Sequence, residues 1–264
     1  MNTITSQSAI APTTSLVLRC CRADMTSYNG FVWPGVGGIA TAPDWVDNNK
    51  CGNGLHGYLY GQSNHGSCLY SFVDDAKWLV ARVEDSQIRM IFEDMCKFQS
   101  GEVVFVGTKS EAADYIIANE PRAATGAVIG TVLECGDKGS LCGGALSVLT
   151  GGKYAKMIGG DYATMTGGDY AKMIGGDYVK MIGGDYAKMI GSHYAKITGG
   201  DNATITGGLY AIMTGGDGAI MHFQYFDCKC KRTRTVVAYV GEDGILAGVP
   251  YRLDANHKLV KVES

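Results

Sequence analysis

Two cysteines and two histidines lie close together in a stretch of the N-terminal region that is rich in glycine. Cys51 and His56 belong to the sequence CGNGLHG at positions 51–57, and His65 and Cys68 follow shortly afterwards. Thiolates and imidazoles are the usual tetrahedral ligands of zinc, so the four residues could form a zinc site. Their spacing is not typical of zinc fingers, however, and turn-rich loops often contain buried cysteine and histidine. We therefore expect a structural role here, with no metal and no cofactor.

The same loop also contains residues suited to binding or nucleophilic catalysis. A cysteine beside a histidine can act as a nucleophile, although no third orienting residue is recognisable here. Trp33 and Trp45 precede the loop, in the segments FVWP (31–34) and APDW (42–45). Together with Cys51 and His56, these tryptophans are the candidate ligand-binding residues of the N-terminal region.

A second set of candidate binding residues comes from a repeat of eight residues. Octads that begin with Gly151 run to His222, and two less regular octads, 135–142 and 143–150, precede them, which gives eleven octads. Paired glycines would destabilise a helix by about 1 kcal/mol each, and a period of eight does not keep one helix face in register. The repeat therefore predicts β-structure.

The apolar residues of each octad occupy alternate positions. Position 5 is nearly always alanine and position 7 is methionine, isoleucine or leucine, whereas positions 4, 6 and 8 carry tyrosine, lysine, threonine or isoleucine. Because alternate residues of a strand face opposite sides, positions 5 and 7 should face a core. Gly-Gly-Asp should form the turn, since glycine adopts a positive φ readily and aspartate bonds to its own backbone.

Strands with only one apolar face must stack to be stable, which predicts a β-solenoid. Two octads per coil is the simplest closure, and a spacing of about 4.8 Å between coils predicts a rod about 25 Å long. Alternate octads then lie on opposite sheets and align their outward side chains in columns. The predicted binding face consists of two tyrosine columns (Tyr162, Tyr178, Tyr194 and Tyr210; Tyr154, Tyr170 and Tyr186) and one lysine column (Lys156, Lys172 and Lys188).

These columns allow two interpretations. Stacked tyrosines could serve only the stability of the rod, and aspartates in the turns offset the lysine charge, so a solvated surface of mixed charge is one expectation. Flat columns of tyrosine and lysine could instead bind a second copy of the chain or another protein. Calcium binding is not expected, because the period and the aspartate position differ from those of calcium-binding nonapeptide repeats.

The octads resemble the repeats of bacterial ice-nucleation proteins, in which two subrepeats of eight residues form one coil. Thr164-Met165-Thr166 and Thr204-Ile205-Thr206 carry the resemblance to the Thr-x-Thr of that family. The resemblance implies a solenoid and face-to-face pairing through tyrosines. Most octads have Lys-Met-Ile in place of Thr-x-Thr, so the resemblance extends to the fold rather than to the activity.

The segment from 16 to 118 predicts an α+β domain. KWLVARVE (77–84) and GEVVFVG (101–107) are typical of strands, and SEAADYIIANE (110–120) predicts a helix with Ser110 as its N-cap. With CGNGLH, the octads and the tail VGEDG (240–244), the layout resembles an uncharacterised family of phages, prophages and bacteria. That resemblance implies no activity. An analogy with ADP-ribosyltransferases would require a glutamate such as Glu102 opposite His56.

The C-terminal residues leave the octad pattern after His222. TRTVVAYV, PYRLD and HKLVKV predict strands that pair as hairpins and cap the solenoid, since an open end would expose an unpaired edge. The run KCKRTR (229–234) is basic, but a solvated hairpin is the simpler interpretation. We therefore expect a mainly β chain with an α+β head domain (1–125), a solenoid (126–222) and a β-hairpin cap (223–264).

Composition limits the classes of function. The net charge is −3, which argues against a nucleic-acid binder. The sequence contains no run of 18 apolar residues, so we do not expect a membrane-spanning helix. Nine cysteines without a secretory signal fit a reducing, cytoplasmic location. We expect a non-enzymatic scaffold or interaction protein, of phage origin, that forms homo-oligomers through its solenoid faces. The alternative is a nucleotide-binding or ADP-ribosyltransferase-like enzyme in the head domain, with the solenoid as oligomeriser.

Overall fold

The chain folds into an N-terminal sheet domain followed by a β-solenoid of about six turns, as predicted from the sequence. The computed structural model describes residues 13–65 and 73–263. Cys68, one of the four residues considered as zinc ligands, lies outside the described residues. No helix in the described part of the chain is long and apolar enough to cross a membrane.

The N-terminal domain is built on an antiparallel sheet of seven strands in the order β2-β7-β4-β1-β3-β6-β5. The strands predicted at 77–84 and 101–107 are β4 and β7. The seven strands are β1 (Thr14–Cys21), β2 (Ile39–Thr41), β3 (Leu55–Leu59), β4 (Lys77–Glu84), β5 (Arg89–Met90), β6 (Met95–Phe98) and β7 (Ser100–Gly107).

One helix, α1 (Lys109–Asn119), packs on this sheet through Ala112, Ala113 and Ile116, which are buried. The predicted N-cap, Ser110, is wrong. Thr108 caps the helix instead, because its side chain and that of Glu111 form a reciprocal capping box. Two 3-10 turns, Asp85–Gln87 and Pro121–Thr125, complete the domain.

The solenoid consists of two parallel sheets whose strands alternate along the chain. Residues sixteen apart are in register, for example Met157 with Met173, so each coil contains two octads. One sheet holds β8 (Val132–Cys135), β10 (Val148–Gly151), β12 (Thr164–Gly167), β14 (Lys180–Gly183), β16 (Lys196–Gly199) and β18 (Ile212–Thr214). The other holds β9 (Ser140–Cys142), β11 (Lys156–Gly159), β13 (Lys172–Gly175), β15 (Lys188–Gly191), β17 (Thr204–Gly207) and β19 (Ile220–Asp227).

The first coil begins earlier than the octad pattern indicates. β8 pairs in register with β10 although the segment 127–134 lacks the Gly-Gly-Asp signature. The solenoid therefore has one more strand than the eleven octads predict.

The predicted inward positions form the core of the solenoid. From Ala155 to Met221, the residues at positions 5 and 7 are at most 2 % exposed. The first glycine of each octad is also buried, and a Cβ on Gly183 would lie 2.8 Å from the Cβ of Ala187. Glycine is thus needed at this position for space, because alanine and glycine let the two sheets approach closely.

The turns differ from the prediction. The recurring residue with positive φ is the tyrosine and not a glycine of the pair. The tyrosines at octad position 4 have φ values from 57° to 61° (Tyr154, Tyr162, Tyr170, Tyr178, Tyr186, Tyr194 and Tyr210). This conformation costs a residue with a Cβ about 1–2 kcal/mol. A hydrogen bond to the next coil offsets it, as when Tyr170 N–H donates to the Asp185 carbonyl at 2.8 Å.

The tyrosines therefore lie at the two edges of the rod rather than on its flat faces, which corrects their predicted position. Aspartate does not bond to its own turn either. The Oδ1 of Asp185 accepts the N–H of Asp201 in the next coil, at 2.9 Å. Both corrections have one physical cause, namely that the turn is held by contacts between coils.

The C-terminal segment caps both sheets with hairpins, as predicted. β19 continues beyond the solenoid and pairs with β20 (Arg232–Tyr239), while β21 (Tyr251–Leu253) pairs with β18 and with β22 (Leu259–Lys261). Phe223 and Tyr251 are buried against the last core residues. The expected domain boundary between residues 222 and 223 falls inside β19.

The head domain packs against one edge of the solenoid. The Asn64 carbonyl accepts the N–H of Asp161 at 2.8 Å, and His65 Nδ1 lies 3.0 Å from Asp161 Oδ2. Tyr162 packs with the core that contains Ile116 of the head domain. We call this edge, with Tyr162, Tyr178, Tyr194 and Tyr210, the head edge, and the edge with Tyr154, Tyr170 and Tyr186 the opposite edge.

Candidate functional site

The opposite edge presents an exposed stack of three parallel tyrosine rings. The ring centroids of Tyr154 and Tyr170, and those of Tyr170 and Tyr186, are 4.9 Å apart, with interplanar angles of 9° and 4°. The side chains remain 43–50 % exposed despite this stacking. The column ends at Asn202 and Gly218, which occupy the same turn position in the later coils and lack a ring.

Charged side chains of both signs surround this tyrosine stack. Lys153 Nζ lies 2.9 Å from Asp169 Oδ2, so this pair bridges two coils. The hydrogen bond from Lys153, together with the N–H of Asp185, lowers the pKa of the Asp169 carboxyl. The lysine column of Lys156, Lys172 and Lys188 lies on the adjoining sheet face in register, beside the exposed Ile158, Ile174 and Ile190.

The head edge has a similar stack with a different environment. Tyr178 stacks on Tyr162 at 4.7 Å and on Tyr194 at 4.7 Å, and Tyr210 continues the column at 5.0 Å. The head domain packs at the Tyr162 end. His193 and Leu209 replace the aspartate of the octad here. The head edge thus has a longer column of rings but fewer aspartates in its turns than the opposite edge.

The two tryptophans predicted for the head domain differ in role. Trp33 is 3 % exposed and its Nε1–H donates to Ser27 Oγ at 2.7 Å, so it belongs to the core. Trp45 is partly buried, and the Lys97 ammonium lies 5.5 Å from its ring centroid. Trp33 also lines a cleft together with His56, whereas Trp45 does not.

His56 holds the glycine-rich loop in place through its ring. Its Nε2 accepts the N–H of Gly52 at 3.2 Å, and the ring also hydrogen-bonds to the Gly54 backbone. Burial, followed by the charges of Arg19 and Lys97, lowers the pKa of His56. Because its Nε2 already accepts a backbone N–H, that nitrogen is not available as a base for the exposed thiol of Cys51.

The structure does not bring together the other residue pairs considered for chemistry. In the sheet order, β7 with Glu102 and β3 with His56 are separated by β4 and β1, and Glu102 forms an ion pair with Arg82 at 3.1 Å. The analogy with ADP-ribosyltransferases therefore lacks its required pair. Among residues 13–65 and 73–263, no group of three or more His, Cys, Asp or Glu is placed to hold a metal ion.

The basic run at 229–234 forms the turn of the β19–β20 hairpin. Asp227 Oδ1 accepts the N–H of Lys229 at 2.9 Å, and Asp227 Oδ2 lies 2.6 Å from Arg234 Nε. The ion pair with Asp227 thus neutralises part of the positive charge of this basic run.

Two cations of the head domain were missed by the sequence analysis. Lys97 on β6 is fully buried, and its Nζ bonds to Asn48 Oδ1 at 2.8 Å and to the Gly52 carbonyl at 3.1 Å. Arg19 on β1 lines the same cleft as Trp33 and His56. From sequence alone, arginine and lysine in a strand are expected to face solvent. Only the long-range strand pairing of the sheet shows where these two side chains lie.

Comparison with known proteins agrees with a two-part chain. Residues 15–118 match the family described as "Domain of unknown function (DUF7666)", which covers less than half of the chain. No solved structure matches the chain.

The repeat region is similar to ice nucleation proteins. The identity is 37 % over 107 residues with the ice nucleation protein of Xanthomonas campestris pv. translucens, covering 40 % of this chain and 7 % of that protein. It is 40 % over 105 residues with that of Pseudomonas fluorescens, covering 39 % of this chain and 8 % of the relative. For ice nucleation protein InaU of Pantoea ananas it is 34 % over 121 residues, with 42 % and 11 % covered. The chain thus spans about a tenth of the length of these relatives, and the predicted resemblance of the repeats is confirmed.

Proposed function

We propose that this protein is a non-enzymatic repeat scaffold that self-associates through the opposite edge of its solenoid. The carrying observation is the exposed stack of Tyr154, Tyr170 and Tyr186, which lie in successive coils of the rod. A catalytic site needs unlike residues that converge on one point, whereas these three coils repeat the same ring.

A second copy of the chain is the occupant that best matches this edge. Its own edge has the same spacing of rings, and aromatic rings are enriched at the centres of protein interfaces. Beside the rings, the turn carries Lys153 in the first of these coils and Asp169 and Asp185 in the next two. Two copies related by a twofold axis can therefore place opposite charges together, and a C2 contact of this kind closes after two subunits.

The resemblance to ice nucleation proteins does not extend to a threonine array on this rod. Thr164 and Thr166 lie on β12, but their neighbours in the next coil are Lys180 and Ile182. Thr204 and Thr206 lie on the other sheet, beside Lys188 and Ile190. Because no face repeats Thr-x-Thr in successive described coils, we propose assembly rather than ice nucleation as the function.

We propose a reducing, cytoplasmic location and a phage or prophage origin as part of the same account. Cys51, Cys142, Cys228 and Cys230 are exposed free thiols, which persist best in a reducing compartment. Other proteins that present a matching aromatic edge are the alternative partners of the scaffold.

Sedimentation velocity of the full chain tests the proposed interface. Substitution of Tyr154, Tyr170 and Tyr186 by asparagine should shift the protein from dimer to monomer. Asparagine tolerates the left-handed conformation and already occupies this position at Asn202, so the fold should be retained. The matched control replaces Tyr178, Tyr194 and Tyr210 on the head edge and should leave the dimer intact. A monomeric wild-type protein, or equal loss of dimer in both variants, would contradict the proposal.

A further inference from the structure

The cleft beside His56 contains an arginine whose charge is not balanced. The Nε of Arg19 is buried and has no hydrogen-bond partner among the described residues. Arg82, Arg89 and Arg122 by contrast each pair with a carboxylate. A buried N–H without an acceptor is costly, so the Nε of this half-buried arginine requires an explanation.

A second cation lies close to this cleft. Lys97 is buried close to His56 and bonds to the neutral oxygens of Asn48 and Gly52 rather than to a carboxylate. In addition to burial, Arg19 and Lys97 both oppose protonation of His56 and lower its pKa, whereas Asp44 acts in the opposite direction. His56 in its neutral form therefore adds no further charge to the cleft.

The nearby carboxylates are already bonded to other groups. Asp44 lines the cleft, and its Oδ1 accepts the N–H of Gly54 at 3.1 Å. Asp47 is held by Arg89 through contacts of 2.5 and 3.0 Å. Neither forms an ion pair with Arg19 among the described residues, which leaves the Arg19 guanidinium open to an added anion.

Aromatic side chains form the wall of the same cleft. Phe31 meets Trp33 edge to face with ring centroids 5.4 Å apart, and the bond to Ser27 fixes the Trp33 ring. Tyr28 stands at the opening with 76 % of its surface exposed. An exposed tyrosine at the mouth and a fixed aromatic wall suit a flat apolar ring.

We propose that this cleft binds a small oxyanion carried on a flat ring, either an aromatic carboxylate or an aryl phosphate. The guanidinium of Arg19 pairs with the oxyanion, since its planar fork of donors matches carboxylate and phosphate oxygens. The ring packs between Tyr28 and Phe31. This binding site is independent of self-association through the tyrosine edge.

Isothermal titration calorimetry on the full chain, at constant ionic strength in chloride, tests the site. The probes are benzoate, phenyl phosphate, inorganic phosphate and, as a cation control, benzylamine. We expect saturable binding of benzoate or phenyl phosphate, weaker binding of inorganic phosphate, and none of benzylamine. Binding of neither ring-bearing anion, or equal binding of inorganic phosphate, would overturn the proposal.

Variants connect the binding to these residues. Arg19→Met should weaken binding by about tenfold or more, because a charged hydrogen bond is lost. Its melting temperature without ligand should be unchanged or higher, since a buried N–H without a hydrogen-bond partner is removed. Arg82→Met is the control at an exposed arginine and should bind as the wild type does.

A second variant keeps the test valid if Arg19→Met fails to fold. Tyr28→Ala changes an exposed side chain, so the fold should be retained, and it should weaken benzoate and phenyl phosphate but not inorganic phosphate. Unchanged affinity for the ring-bearing anions in either variant that folds would contradict the assignment.

Discussion

Protonation of His56 and of His65 should affect the stability of two different parts of the fold. His56 holds the glycine-rich loop, with its pKa lowered by burial and nearby cations. His65 contacts Asp161 of the solenoid, and this hydrogen bond raises the pKa of His65. The stability that each contributes should therefore change with pH in opposite directions.

The pH dependence of His56→Gln tests the first of these roles. Because the folded protein disfavours protonation of His56, the unfolded chain binds more protons below its usual pKa of about 6.5. The stability from neutral His56 is thus present above that pH and is lost as the pH falls. We expect the advantage of the wild type over His56→Gln, measured as the urea midpoint, to shrink between about pH 8 and about pH 5.

His65→Gln provides the matched comparison. Since the folded pKa of His65 is raised, its contribution is present below about 6.5 and is lost as the pH rises. The advantage of the wild type over His65→Gln should therefore grow as the pH falls. The effect should be small, because the side chain of His65 is 78 % exposed to solvent. The same pH trend in both variants would show that one assignment is wrong.

At the scale of the element, each strand is stabilised by one small and one large inward residue. Met181 on β14 is 1 % exposed in the thin core between the sheets, whereas its neighbour Lys180 faces solvent. Met181→Ala should lower the free energy of unfolding by about 2–5 kcal/mol, because neighbouring coils cannot collapse into the cavity. Lys180→Ala should change it by no more than about 0.5 kcal/mol. Urea denaturation of both variants measures the difference, and similar values would place the core elsewhere.

The sequence was most informative where one pattern repeats. The alternation of Ala and Met predicted the inward face, and the period of eight predicted the coil of two octads, because every coil makes the same contacts. The turn was not predictable in detail, since a left-handed tyrosine such as Tyr170 contradicts local preference and is offset only by the next coil. β8 was missed because its segment lacks the glycine pair.

The candidate sites could likewise be predicted only where they follow from the repeat or from a local motif. The tyrosine columns follow from the period, although their position at the edges does not. The environment of Arg19 and Lys97 depends on strands that are distant in the chain, so no local pattern indicates it. His56 was identified by its motif, yet its bonds to Gly52 and Gly54 assign it a role in the loop.

At the scale of the whole molecule, a rod of six coils connects a head domain to a hairpin cap. The head domain occupies one edge at Asp161 and Tyr162, and the cap closes the last coil around Phe223. The tyrosine stack on the opposite edge is exposed and has no described residue of the head domain packed at its end, so we propose this edge for assembly. This arrangement depends entirely on the alignment of residues sixteen apart.

Spin–spin interaction between two labels measures that alignment most directly. Nitroxides can be attached through a ketone-bearing unnatural amino acid, which leaves the native thiols unlabelled. Labels at Lys172 and Lys188, which are paired in register, should give the strong spin exchange expected at about 4.8 Å. Labels at Lys172 and Lys180, which lie on opposite sheets, should give none. Strong exchange for the second pair, or its absence in the first, would contradict the coil of two octads and the tyrosine edge that depends on it.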